Sequence, residues 1–111
     1  MRFTDKVCIV TGGGSGIGRA ACERFASEGG KIVVADINPA HGKDAVAAIV
    51  KSGAEAVFAK TDVSNSAEVQ AAIQLAVTKW GRVDVLVNNA AMMTFLPIVD
   101  LLKEIGTRFS P

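Results

Sequence analysis

The sequence predicts an α/β fold with a doubly wound parallel sheet of four strands in the order 3-2-1-4. Three observations predict it. Four short apolar runs recur along the chain, helix-period segments separate them, and glycines punctuate the joins. Strands that read as continuous apolar runs belong to a sheet covered on both faces. The intervening helices supply the right-handed crossovers that parallel strands need. Ligands on such sheets bind at the carboxyl ends of the strands, near the switch between the first and the fourth.

Val7-Cys8-Ile9-Val10 is the first run, bounded by Asp5-Lys6 and a glycine cluster. Residues 17–28 form a helix with Ile17, Ala20, Ala21 and Phe25 on one face, and Gly29-Gly30 ends it. Lys31 to Asp36 is the second strand. A helix over 39–52 follows, with Pro39 in its first turn and Gly53 just past its end. Ala56-Val57-Phe58-Ala59 is a weaker third run. The helix over 66–80 has the clearest period, through Val69, Ala72, Ile73, Ala76, Val77 and Trp80. Asn65 and Glu68 have the spacing of a capping box, and Gly81 ends the helix. Val83 to Val87 is the fourth strand, and Ile98, Leu101, Leu102 and Ile105 begin a last helix after Pro97.

The 111 residues, 50% hydrophobic, fit one domain spanning 1–111 with a core of its own. A net charge of +1 offers no basic excess for nucleic acid or an anionic membrane. No apolar run approaches the ~20 residues of a membrane helix, and the N-terminus lacks a signal-peptide pattern. Cys8 and Cys22 lie inside apolar segments and read as buried thiols in a reducing, cytoplasmic setting. One His and two Cys give no ligand-spaced metal cluster.

Thr11-Gly12-Gly13-Gly14-Ser15-Gly16-Ile17-Gly18 joins the first strand to the first helix. A phosphate there needs backbone N–H donors at close range and no side chain in the way; a helix N-terminus adds partial positive charge. Strict G-x-G-x-x-G spacing is not met, and Arg19-Ala20 stands where a P-loop needs Lys-Ser/Thr. The spacing that fits is T-G-x-x-x-G-x-G. Five glycines within seven residues exceed what a strand–helix turn requires.

Asp36 ends the second strand, 18 residues beyond Gly18, near the ~20 expected of a carboxylate that binds an adenosine ribose. It would accept from two ribose hydroxyls and repel a 2′-phosphate. Asp62-Val63, ending the third strand, reads from physics alone as a polar strand end and a cap. Asn88-Asn89-Ala90-Ala91, after the fourth strand, serves equally as a ligand contact or an Asn-rich turn.

Taken together, these residues resemble the N-terminal part of the short-chain dehydrogenase/reductase family, which has a Rossmann-type sheet. Thr11 to Gly18 matches the family's T-G-x-x-x-G-x-G motif. Asp36 matches its acidic, NAD-selecting position, and Asp62-Val63 its adenine-contacting pair. Asn88 to Ala91 is similar to its N-N-A-G motif, with Ala91 in place of the last glycine. The resemblance covers roughly residues 4–100 and implies NAD as cofactor. It implies cofactor contacts from Gly12, Gly14, Ser15, Gly16, Ile17, Gly18, Asp36, Asp62, Val63, Asn89 and Ala90, with Asn88 fixing the central strand.

The family's catalytic Ser, its Tyr-x-x-x-Lys and its catalytic Asn are absent from this chain, which contains no Tyr at all. No residue here is therefore expected to be catalytic. His41, the one imidazole, is expected to be solvated. The tail 101–111 does not follow the family pattern.

Two functional readings follow: the cofactor-binding half of an NAD-dependent oxidoreductase acting on an alcohol or carbonyl, or a non-catalytic NAD-binding protein that pairs with itself or a full-length relative. A methyltransferase, which also joins a glycine loop to an acid on strand two, is disfavoured by Thr11 and by Asn88 to Ala91. Self-association is expected through the open edge of the fourth strand and the face of the last helix.

Overall fold

A computed structural model of the chain describes residues 2–89. The elements are β1 (Val7–Thr11), α1 (Gly16–Ser27), β2 (Lys31–Asp36), α2 (Pro39–Lys51), β3 (Glu55–Lys60), α3 (Ser66–Trp80) and β4 (Val85–Asn88). The four strands form one sheet in the order β3-β2-β1-β4, and every pairing is parallel. The predicted fold class and strand order are those observed. Ala90, the helix expected after Pro97 and the tail 101–111 lie outside the described residues.

Alternate residues of the central strands face opposite sides, as the period of a strand requires. Val7, Ile9, Val33 and Ala35 pack with Val69, Ile73 and Ala76 of α3. Cys8, Val10, Ile32 and Val34 pack with Cys22 and Ala26 of α1 and with Ala45 and Ile49 of α2. Both faces are thus dry, which is why β1 and β2 read as unbroken apolar runs. Each buried Val or Ile side chain contributes about 1.5–3 kcal/mol relative to exposure.

α1 departs from its predicted face. Its buried stripe is Gly18, Cys22 and Ala26, whereas Ile17 is 80% exposed. The close approach of the first turn to the Gly12 carbonyl selects glycine at position 18, and the side of the helix bearing Ile17 faces outward. β4 begins at Val85 rather than Val83, because the Asp84 carboxylate accepts the Val7 N–H at 2.8 Å, while the Asp84 N–H bonds the Val7 carbonyl. These two bonds fix the start of the β1–β4 pairing.

The helix ends follow their sequence signals in two of three cases. Asn38 caps α2 by accepting the His41 N–H, with Pro39 in the first turn. Asn65 caps α3 by accepting from Ala67 and Glu68, and Gly81 closes it in the left-handed conformation. The expected capping box is modified. Glu68 accepts from the Asp62 N–H and the Asn65 side-chain amide, while the Asn65 N–H bonds the Asp62 carbonyl. α1 is the exception: no side-chain hydrogen bond from its N-cap, Ser15, satisfies its first turn.

Candidate functional site

In-register pairing sets Thr11 beside both Ala35 and Asn88, so the loops after β1, β2 and β4 leave the sheet at one level. The glycine loop turns at Gly12, with φ of 64°, a left-handed conformation that suits glycine. Gly13 donates to the Ala35 carbonyl at 3.3 Å, tying the loop back to β2.

Gly14 donates its N–H to Asp36 Oδ2 at 2.8 Å, and Asn38 donates its N–H to Asp36 Oδ1 at 2.8 Å. Asp36 is only 7% exposed. Its carboxylate is held by one backbone donor on each oxygen, and each oxygen keeps a further lone pair. Sequence reasoning found the carboxylate but not this clamp.

Gly18 has no room for a side chain. A Cβ there would overlap the Gly12 carbonyl and lie 2.8 Å from Asn89 Nδ2. The start of α1, the glycine loop and the end of β4 therefore meet at Gly18. Gly16 and the exposed Ser15 and Ile17 form the outer rim of this junction. α1 lacks a capping side chain, and its first turn contains no acidic residue. Its N-terminal amides thus present partial positive charge to solvent at the carboxyl end of the sheet.

A cleft of about 160 Å³ opens beside this helix end, lined by Gly12, Asp36, Ile37, Thr61, Asp62 and Val63. It brings together three of the predicted segments. Ile37, 58% exposed, provides an apolar lip that the sequence reading missed. Thr61 was also missed; it donates its N–H to the Asp36 carbonyl at 2.9 Å. A large apolar residue directly after a strand-ending acid was the available signal for Ile37.

Asp62 lines the cleft, but Ser64 donates to its Oδ1 from both the hydroxyl, at 2.7 Å, and the amide, at 2.9 Å. Those bonds hold its carboxyl below the usual range, so it is ionised at neutral pH. Val63 is buried and also belongs to the α3 core. Asn89 donates its N–H to Thr11 Oγ1 at 2.9 Å. His41 is exposed on α2, as predicted.

A larger cavity, about 610 Å³, lies at the opposite end of the sheet. Ala26, Ala48, Ile49 and Ala54 line it together with Asp5, Glu23, Lys31 and Glu55. None of the motif residues reaches it. The helices that border it present their carboxyl ends, whose dipoles disfavour a phosphate. The smaller cleft is therefore the better candidate despite its size.

The sequence pattern of the short chain dehydrogenase family matches residues 6–107. The chain belongs to that family. The match runs into the tail, through residue 107, further than the resemblance read from motifs alone. Galactitol 2-dehydrogenase of Agrobacterium fabrum is 38% identical over 104 residues, which are 94% of this chain and 40% of that protein. The (S)-acetoin-forming diacetyl reductase of Staphylococcus epidermidis is 38% identical over 100 residues, covering 90% of this chain and 39% of that one. The chain thus spans about two-fifths of the length of these relatives. A short chain dehydrogenase/reductase from Burkholderia phymatum, solved in complex with NAD, superposes with a TM-score of 0.88 at 33% identity, covering 95% of this chain and 45% of that one. A 7α-hydroxysteroid dehydrogenase complexed with NADH and 7-oxo glycochenodeoxycholic acid gives 0.86 at 28%, covering 92% and 48%. Among the described residues of this family member, no helix is long and apolar enough to cross a membrane.

Proposed function

We propose that these residues are the cofactor-binding part of an NAD-dependent oxidoreductase that interconverts an alcohol and a carbonyl. The observation that carries this reading is the Asp36 carboxylate, clamped between the Gly14 and Asn38 amides beside the uncapped start of α1. The residues suit a dinucleotide. Amides of the Gly12–Gly18 loop would hold its pyrophosphate, with the Ser15 hydroxyl beside them. Asp36 would accept from the adenosine ribose hydroxyls. Ile37, Asp62 and Val63 would flank the adenine, and Asn89 and Ala90 would lie towards the nicotinamide end. When bound, the cofactor supplies or accepts the hydride.

The same carboxylate argues for NAD(H) over NADP(H). At ~4 Å and an effective dielectric near ~20, two like charges repel by about 4 kcal/mol before screening. Discounted for solvent and salt, a preference of about tenfold follows, equivalent to ~1.4 kcal/mol. Fluorescence titration with NADH and NADPH tests this, and equal affinities would refute the role given to Asp36.

We also propose that these 111 residues alone catalyse no hydride transfer. The chain has no Tyr, and proton transfer at the substrate oxygen needs a donor within hydrogen-bond reach. Following NADH absorbance with alcohols, ketones and aldehydes tests it; turnover well above that of a Gly16/Gly18 double variant would overturn it. The whole protein's substrate, a cytoplasmic setting and self-association along the β4 edge belong to the same reading. Sedimentation showing a stable monomer at high concentration would remove the last of these.

A further inference from the structure

Gly42 stands inside α2, where glycine weakens a helix, yet it is buried. A Cβ at Gly42 would overlap the Cδ1 and Cε1 atoms of the Phe58 ring on β3. The same turn also touches the glycine loop: a Cβ at Gly14 would lie 2.8 Å from the Gly42 nitrogen and 2.8 Å from the His41 carbonyl carbon. The glycine loop, the first turn of α2 and the Phe58 ring thus meet around Gly42 with no spare room.

We infer that Gly42 is a specificity-determining residue that acts through position, without touching the cofactor. The first turn of α2 follows Asn38, whose N–H holds one oxygen of Asp36, while Gly14 holds the other. Asn38 leads directly into that turn and Gly14 touches it at His41 and Gly42, so both donors depend on where the turn sits, and glycine at position 42 lets it sit against the Phe58 ring. A methyl group there must displace either the ring or the helix. If the helix retreats, Asn38 and Gly14 separate, Asp36 loses one donor, and its carboxylate is free to swing away from the ribose position. The inference rests on the NAD(H) preference proposed above. Asp36→Asn removes the charge, whereas a change at Gly42 leaves the charge in place and removes its aim.

The test is a cycle of Gly42→Ala, Phe58→Val and the double variant, with two readouts. One is the ratio of NADH to NADPH affinity. The other is hydrogen exchange at the Gly14 amide without cofactor. Gly42→Ala is expected to lower the ratio about tenfold, or ~1.4 kcal/mol, and to speed the exchange. Phe58→Val leaves slack behind Gly42 and should move both readouts the same way by less. The double variant, in which the methyl fills that slack, should return both towards wild type. Should Gly42→Ala fail to fold, comparison of the double variant with Phe58→Val alone decides. A double variant no better than Phe58→Val, or a ratio unmoved by Gly42→Ala, overturns the inference. If wild type shows no NADH preference, the proposed function fails on its own, and the exchange data still report whether Gly42 holds Asp36. Ile49→Val, at the other end of α2, should lower stability and leave both readouts unchanged; if it moves them equally, a general loosening of α2 replaces a specific role for Gly42.

Discussion

The Thr11 hydroxyl lies 3.1 Å from Asn88 Oδ1 and accepts the Asn89 amide N–H at 2.9 Å. It lies 3.2 Å from the Val87 carbonyl as well. One buried side chain on β1 thereby fixes the end of β4, where Asn89 turns towards Gly18. The threonine that opens the glycine motif belongs to the fold and to the site at once.

Thr11→Val keeps the shape of the side chain and removes the hydroxyl. It is expected to destabilise the protein by about 1–3 kcal/mol, because the Asn89 amide loses its acceptor. It should also weaken NADH binding, since Asn89 is no longer held against Gly18. Thr11→Ser restores the hydroxyl and should recover most of both. Urea unfolding and NADH titration of the two variants check this.

Gly18→Ala places a methyl group against the Gly12 carbonyl, and that contact, being backbone, leaves little room to yield. Overpacking of this kind costs about 1–3 kcal/mol. For a domain of this size that is roughly 4–8 °C in melting temperature per kcal/mol. The variant is expected to stay folded at 25 °C and to lose NADH affinity by more than tenfold, or ~1.4 kcal/mol. Circular dichroism and fluorescence titration separate the two effects; tight NADH binding by a folded variant would count against the loop.

Burial pushes the Cys8 thiol up to about 11, and burial, with Cys8 nearby, pushes Cys22 up to about 12. The thiolate is the nucleophile, so both should be inert in the folded protein. A thiol-reactive disulfide reagent at pH 8 is expected to label neither residue until denaturant is added. Stoichiometric labelling of the native chain would show that β1 and α1 separate readily.

Asp84 links the loop after α3 to the start of β1. Burial opposes its ionisation, but hydrogen bonds from Arg82 and the Val7 N–H outweigh it and hold its carboxyl below the usual range. A carboxyl depressed in the folded state stabilises above its unfolded pKa, near ~3.9, and loses that contribution as pH falls through the folded value. Asp84→Asn should therefore be less stable at neutral pH and show a shallower loss below about pH 4. Denaturant midpoints measured from pH 7 to pH 2 test the slope; parallel curves would assign the acid sensitivity elsewhere.

The strands and their order were legible because burial on both faces leaves a plain mark on composition. Each residue of β1 is buried, and all but the first of β2, and between their polar ends, Thr11 on β1 and Lys31 and Asp36 on β2, their runs are apolar. The glycine loop and Asp36 were legible because phosphate and ribose chemistry constrains residue type. What escaped were contacts made by backbone or by space. Glu68 was expected to complete a box around its own helix, yet it reaches to Asp62, because the chain before Asn65 folds back within its range. Periodicity points Ile17 inward, whereas the glycine beside it makes the close contact, against the Gly12 carbonyl. Gly42 gave no signal at all, since its reason is the Phe58 ring, sixteen residues away in a different element.

The two apolar clusters either side of the sheet share strands but no side chains. Gly13 rests against one of them: a Cβ there would lie 2.9 Å from Cys22 Sγ and 3.2 Å from Val34 Cγ1. The loop therefore has a side-chain foundation on the α1 and α2 side. The sheet acts as a partition between two separately tunable halves. Substitutions among Ile73, Val69 and Ile9 can drift or be redesigned for stability with little effect on the loop, and their free energies should add to those of changes across the sheet. Val34 and Cys22 have no such latitude, because repacking them moves the floor beneath the loop.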